Sequence, residues 1–213
     1  MALQNRITPG GEIIADPARG TLMGNRGILH KPDKTLGIAR WRHKAWISCL
    51  LEFRARHSEV MPSNGYTRLF FLDEAVALAA GHRPCAECRR DAYTDFKNHW
   101  LAGSGLAACR AADMDRQFHQ ERVAPRSRQQ FTRLLALDDI PDGGFVSLAD
   151  TDAAFLVVGD ALFAYSPARY ALPVRRPAGI QVRVHTPPAI LNILQAGYRP
   201  RLHPSITGGS LPA

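Results

Sequence analysis

The run Gly81-His82-Arg83-Pro84-Cys85-Ala86-Glu87-Cys88-Arg89-Arg90 constrains this chain more than any other feature. A Cys-x-x-Cys pair on a turn that leads into a helix can aim both thiolates at one point about 2.3 Å away, the Zn–S bond length. His82-Arg83-Pro84 makes the turn, and the following arginines and helix N-terminus favour the thiolate form. Three readings fit the pair: half of a structural zinc site, a redox pair, or two plain core cysteines. The redox reading wants the pair between a strand and a helix of a βαβ unit. Here a short alanine-rich helix precedes it, which favours metal.

The chain has four cysteines and eight histidines in 213 residues. No apolar run approaches the roughly 20 residues that cross a bilayer. The N-terminus MALQNRITPGGEIIADPARG lacks the basic-then-apolar pattern of a secretory signal. These features predict a cytoplasmic protein without membrane contact, where a close cysteine pair binds metal or does chemistry rather than forming a disulfide. A hydrophobic share of 46% suffices for a core without staples.

The pattern predicts an α+β fold, with mixed small sheets and short helices around a zinc knuckle. Residues 1–140 would form the knuckle part. Residues 141–213 would form a hairpin-strand-helix part packed on it as one unit. The segment to Lys34 reads as turns with short strands, including Thr21 to Met23. Ala45 to Phe53 alternates, with Ala45, Ile47, Cys49, Leu51 and Phe53 on the apolar face and Ser48, Glu52 and Arg54 opposite. Tyr66 to Phe71 is a second strand. Asp73 caps a helix over EAVALAA that Gly81 ends. Helices follow from Ala86 to Trp100, with Tyr93, Phe96 and Trp100 on one stripe, and from Ala112 to Val123, with Met114 and Phe118 inward. A further helix is expected over Arg128 to Leu135. FLVV and ALFAY flank the hairpin turn Gly159-Asp160. IQVRVH is a half-buried strand, and Thr186-Pro187-Pro188 opens a helix closed by Gly197. The tail beyond His203 should fray.

Residues 66–90, YTRLFFLDEAVALAAGHRPCAECRR, resemble the second half of the zinc-binding domain of Ada-type DNA alkyl-phosphotriester repair proteins. The shared features are a strand ending in Phe-Phe, a short alanine-rich helix, Ala-Gly, an Arg-Pro-Cys turn and a second cysteine three residues on. The resemblance implies that Cys85 and Cys88 are the second pair of zinc ligands and that the protein acts on DNA. In that family the first half supplies two more cysteines, one of which accepts the methyl group. Here Cys49 is the only cysteine upstream. It is expected as the third ligand, with a buried structural cysteine as the alternative. The fourth is Cys109, His57, His43 or His119, Cys109 being preferred for its soft thiolate, unless water leaves the site open.

Asp115 and His119, four residues apart on one helical face with Glu121 and Arg122 near, are the candidate catalytic pair. The alternative, and the commoner case, is a surface helix carrying an ordinary intrahelical charge pair. The chain contains no Gly-x-Ser-x-Gly, P-loop, dinucleotide fingerprint or His-Glu-x-x-His. Gly24-Asn25-Arg26-Gly27 could form a cationic turn for a phosphate. Trp41, Trp46, Tyr66 and Trp100, interleaved with Arg40, Arg42, Lys44 and Arg68, would stack bases or sit in the core.

A formal charge of +8 favours polyanions. Leu134 to Ala168 has no Lys or Arg and six aspartates, whereas Ala161 to the end has no acid and six arginines. The two stretches either pair or present a cationic face. Arg175, Arg176, Arg83, Arg89 and Arg90 are the candidate contacts to DNA or RNA phosphates. Three functions follow as expectations: a zinc-stabilised nucleic-acid protein of repair or processing, a metal-dependent hydrolase or nuclease using Asp115 and His119, and a non-catalytic zinc-stabilised binding module.

Overall fold

The computed structural model describes residues 2–55, 59–124, 130–149 and 151–206. It is an α+β protein with two six-stranded sheets among the described residues. The first sheet has the order β2-β1-β5-β3-β4-β6, from β1 (Gln4–Ile7), β2 (Ile13–Ala15), β3 (Leu22–Asn25), β4 (Ile47–Cys49), β5 (Leu69–Phe71) and β6 (Arg83–Pro84). β1–β5 and β4–β6 are parallel and the other pairs antiparallel. The second sheet is antiparallel, in the order β11-β10-β9-β8-β12-β7. It is built from β7 (Arg133–Ala136), β8 (Phe145–Ser147), β9 (Phe155–Val158), β10 (Ala161–Ala164), β11 (Val174–Arg175) and β12 (Gln181–Val184).

α1 (Glu74–Ala79) forms as its cap dictates: the Val76 N–H donates to Asp73 Oδ1 at 3.0 Å, and Gly81 leaves the helix at φ 76°. All six residues of α1 are buried, between Ile7 and Phe71 of the first sheet and Phe145 and Phe163 of the second. This shared core joins the two sheets. α2 (Arg90–Ser104), α3 (Ala111–Arg122) and α4 (Pro188–Gln195) form a second core around Phe96, Trp100, Met114, Phe118, Ile190 and Ile193. The hairpin at Gly159, the alternation of β12 and the proline-led α4 match their sequence signals.

Three expectations need correction. The helix expected over Arg128 to Leu135 is a strand where it is described. Leu134 and Leu135 pair with Arg183 and Val182 of β12, so cross-strand pairing overrides helical propensity; residues 125–129 lie outside the described residues. α2 starts at Arg90 rather than Ala86, because Ala86 to Arg89 form the turn that carries the cysteines. The part of the tail beyond His203 that is described, to Ile206, is held: the His203 N–H donates to Asp73 Oδ2 and the Tyr170 N–H to Ser205 Oγ; residues 207–213 lie outside the described residues.

Asp73 and Glu74 together clasp that C-terminal segment. Glu74 accepts from the Tyr198 hydroxyl at 2.7 Å and the Arg201 N–H at 2.9 Å, and pairs with Arg89 at 2.6 Å. Asp73 Oδ2 also takes the Tyr170 hydroxyl at 2.9 Å. Burial raises the Asp73 carboxyl above its usual range. Glu74→Ala strands the Arg89 guanidinium, whose side chain is only 8% exposed. The substitution is expected to lower the unfolding free energy in urea by about 3–5 kcal/mol, the usual cost of breaking a buried pair.

Candidate metal centre

The Sγ atoms of Cys49, Cys85 and Cys88 all lie within 4.8 Å of one another. Thiolates at tetrahedral positions 2.3 Å from one zinc ion stand about 3.8 Å apart, so this cluster is of the size a metal requires. Cys85 is buried and the other two are half-buried.

Cys49 reaches the pair because the faces of β4 are the reverse of those expected. Trp46 and Ser48 point inward, at 2% and 0% exposure, while Ile47 and Cys49 take the outer face. Ser48 is satisfied there, its hydroxyl donating to the Arg83 carbonyl and accepting from Arg89 Nη1 at 2.7 Å. β4 ends at Cys49, and Leu50 and Leu51 are exposed at 38% and 45%. No bulge is needed. β6 runs parallel beside β4, and the Cys85 N–H donates to the Ser48 carbonyl at 3.0 Å. That bond sets the Cys-x-x-Cys turn against the end of β4.

The turn stabilises negative sulfur. The Glu87 N–H points at Cys85 Sγ at 3.4 Å. A hydrogen bond from Cys49 and the amides of Cys88 and Glu87 hold the Cys85 thiol down to about 5. The same contact with Cys85, then burial, pushes the Cys49 thiol up; burial raises Cys88 against the opposing Leu50 amide. One thiolate thus stands beside two thiols that a cation would deprotonate, because metal ligands bind as thiolates.

The other expected ligands do not join this group. Cys109 packs against the helical core beside Phe96 and Trp100. His43 and His119 lie at the other end of β4: His43 accompanies Asp115 and Arg122, and His119 packs its ring edge-on to Trp41 and Trp46. His57 is outside the described residues.

Asp115 and His119 do share a face of α3, but they are not each other's partners. Asp115 is buried, and both its oxygens accept from Arg83, from Nε at 2.7 Å and Nη2 at 2.9 Å. His119 Nδ1 faces Arg122 Nη2 at 3.3 Å, and burial, with Arg122 beside it, holds its pKa down to about 4. The expected catalytic pair is therefore a buried ion pair next to a neutral imidazole.

The arginine candidates also divide. Arg83 is 6% exposed and spent on Asp115, and Arg89 is spent on Glu74 and Ser48. Arg176 donates to the carbonyls of Leu137, Ile140 and Gly159. Arg90 and Arg175 are exposed. Of the acidic stretch, Asp152 pairs with Arg183 at 3.3 Å, and Asp138 and Asp142 accept from the Gly179 and Gly159 amides. The acidic and basic segments therefore meet in the fold, in part. Arg26 is at the end of β3 rather than in a phosphate-binding turn, and is buried at 2% exposure. Sequence reasoning missed Arg199 and Arg201, which share a cavity of about 400 Å³ with Cys88, Arg89 and Arg90. The signal available was their place in the acid-free C-terminal stretch.

Asp115→Asn removes the charge that compensates buried Arg83. It is expected to destabilise the protein by about 3–5 kcal/mol in chemical unfolding, while metal content per folded chain stays unchanged. No protein-family model matches the chain, and no curated protein or solved structure matches it.

Proposed function

We propose that this is a zinc-dependent, nucleic-acid-associated protein whose metal is held by Cys49, Cys85 and Cys88. The convergence of three sulfurs on one point carries the reading. Soft thiolate donors select zinc, copper(I) or iron–sulfur clusters, and zinc suits a small tetrahedral site at the mouth of a Cys-x-x-Cys turn. Among the described residues no fourth His, Cys, Asp or Glu joins the three. A water or a donor atom from a bound partner completes such a site, and it is then open to a ligand.

The nucleic-acid part rests on what surrounds the sulfurs. Cys88 shares its cavity with the exposed Arg90, Arg199 and Arg201, none of which has an ion-pair partner among the described residues, and these arginines and Arg89 outnumber the carboxylates Glu74, Asp91 and Asp95 of the same lining. The likeness of residues 66–90 to Ada-type zinc domains supports the same partner. A phosphate backbone fits this edge, and its neutralisation gives salt-dependent binding.

The purified chain is expected to carry one zinc ion by elemental analysis. Ser at position 49, 85 or 88 should each release it and lower thermal stability, because binding is coupled to folding. Cys109→Ser should keep it. Fully folded protein that holds no metal in the presence of zinc overturns the metal assignment.

Binding of a labelled oligonucleotide is expected to weaken as salt rises. Replacing Arg90 and Arg201 together by Glu should reduce the slope of log affinity against log salt by about 2. Absence of binding at low salt removes the nucleic-acid assignment and leaves the zinc centre standing.

A further inference from the structure

A second surface, away from the sulfurs, has the chemistry of a docking site. From Arg26 to Lys44 the chain carries Arg26, Lys31, Lys34, Arg40, Arg42 and Lys44 against a single acid, Asp33. The last five residues read Arg-Trp-Arg-His-Lys. Their backbone is pinned from beneath. Trp46 Nε1 donates to the His43 carbonyl at 2.9 Å, Arg122 Nη2 to the Lys44 carbonyl at 2.6 Å, and the Arg42 N–H to the Arg26 carbonyl at 2.7 Å. Arg42, His43 and Lys44 are exposed and Trp41 is half-buried. The Trp41 ring is braced by the His119 ring at 5.5 Å, edge-on, and by Trp46 at 6.0 Å.

Positive charge also lies under this surface. The guanidinium carbons of Arg26 and Arg122 sit 3.9 and 3.7 Å from the centroid of Trp46. Both arginines are buried, and among the described residues neither has a carboxylate partner; they bond instead to His82 and to the carbonyls of Gly11, Gly81 and Lys44. Asp115, the acid whose field Arg122 feels, is bonded through both oxygens to Arg83. Arg83 and Arg122 thus share one buried carboxylate, and the surplus charge reaches further through protein than through water.

We propose that this surface binds single-stranded nucleic acid, with phosphates on Arg42 and Lys44 and an unpaired base stacked on Trp41. The proposal rests on the nucleic-acid part of the reading above but uses other residues. A fixed aromatic among exposed cations is what a sequence-tolerant strand platform needs, because every base offers a π-face. A duplex keeps its base faces stacked on each other and gains only the phosphate term. The platform and the metal centre lie at opposite ends of β4. Trp46 to Cys49 is about 10 Å of extended chain, so one strand can meet both.

The test uses full-length, zinc-loaded protein with fluorescent oligothymidylate, the matching duplex, and vesicles of acidic phospholipid. Exposed Ile28 and Ile38, at 50% and 69%, are what a membrane would use, hence the vesicles. Oligothymidylate is expected to bind more tightly than duplex and to quench tryptophan emission. Trp41→Ala and the better-packed Trp41→Leu should each weaken it roughly fivefold to 150-fold, the range for one stacked base, with zinc content and melting temperature kept. Trp41→Phe should restore most of the affinity. Arg42→Glu with Lys44→Glu should lower the salt slope by about 2. The proposal is overturned, with the nucleic-acid reading intact, if both Trp41 variants bind like wild type while Arg90→Glu with Arg201→Glu does not. It is overturned also if vesicles or duplex outcompete the single strand. If wild type binds no oligonucleotide at low salt, both assignments fall together.

Discussion

The burial of Trp46 sets the geometry of the whole edge that carries the cysteine cluster. Its indole lies against two guanidinium groups that have no carboxylate partner among the described residues. Desolvating two cations costs several kcal/mol each in an unassisted interior. The aromatic face and a set of backbone carbonyls offset that cost. Burial keeps Arg122 well below the ordinary guanidinium range and brings Arg26 down to about 9. Because side chains alternate along a strand, an inward Trp46 makes Ser48 inward and Cys49 outward. The inward Ser48 then receives Arg89, while its carbonyl takes the Cys85 amide. The sulfur cluster is a consequence of where one tryptophan goes.

A second constraint keeps that edge attached to the rest. α1 alone is six residues long, too short to be stable by itself. It persists because both carboxylates at its start are occupied by groups from distant parts of the chain. Asp73 caps the helix with one oxygen and holds Tyr170 and His203 with the other. Glu74 takes Tyr198 and Arg201 on one side and Arg89 of the cysteine turn on the other. The N-terminal sheet, the cysteine turn and the C-terminal segment therefore meet at two adjacent acids. Of the two, Glu74 is the one that reaches the cysteine turn, through Arg89.

Local signals were legible where they are local in origin. The Asp73 cap, the Gly81 exit, the Phe96 and Trp100 stripe, the Gly159 turn and the proline start of α4 depend on short-range chemistry, and the residues announce them. The Cys85–Cys88 turn belongs to the same class. The signal failed wherever a distant partner decides. In Ala45 to Phe53 the apolar count favours the face of Ile47 and Leu51, yet Trp46 finds Arg26 and Arg122, and that pairing overrules the count. Leu134 and Leu135 look helical until β12 lies beside them. Asp115 and His119 have helix spacing suited to an acid–base pair, but Arg83 comes from another strand and takes the carboxylate. None of these partners is within one helical turn in sequence.

The same distinction governs what the net charge of +8 can do. A cation serves a polyanion only if the fold has not already used it. Arg83, Arg89 and Arg176, three of the five candidates, are consumed by Asp115, Glu74 and backbone carbonyls. Two groups of cations without an ion-pair partner among the described residues lie at the ends of β4, although Arg199 and Arg42 also donate to backbone carbonyls. At one end Arg90, Arg199 and Arg201 open onto Cys88. At the other Arg42 and Lys44 stand over Trp46 and its buried arginines. Trp46, the residue that fixes the cysteine cluster, also underlies one of the two cationic patches, so β4 links the two.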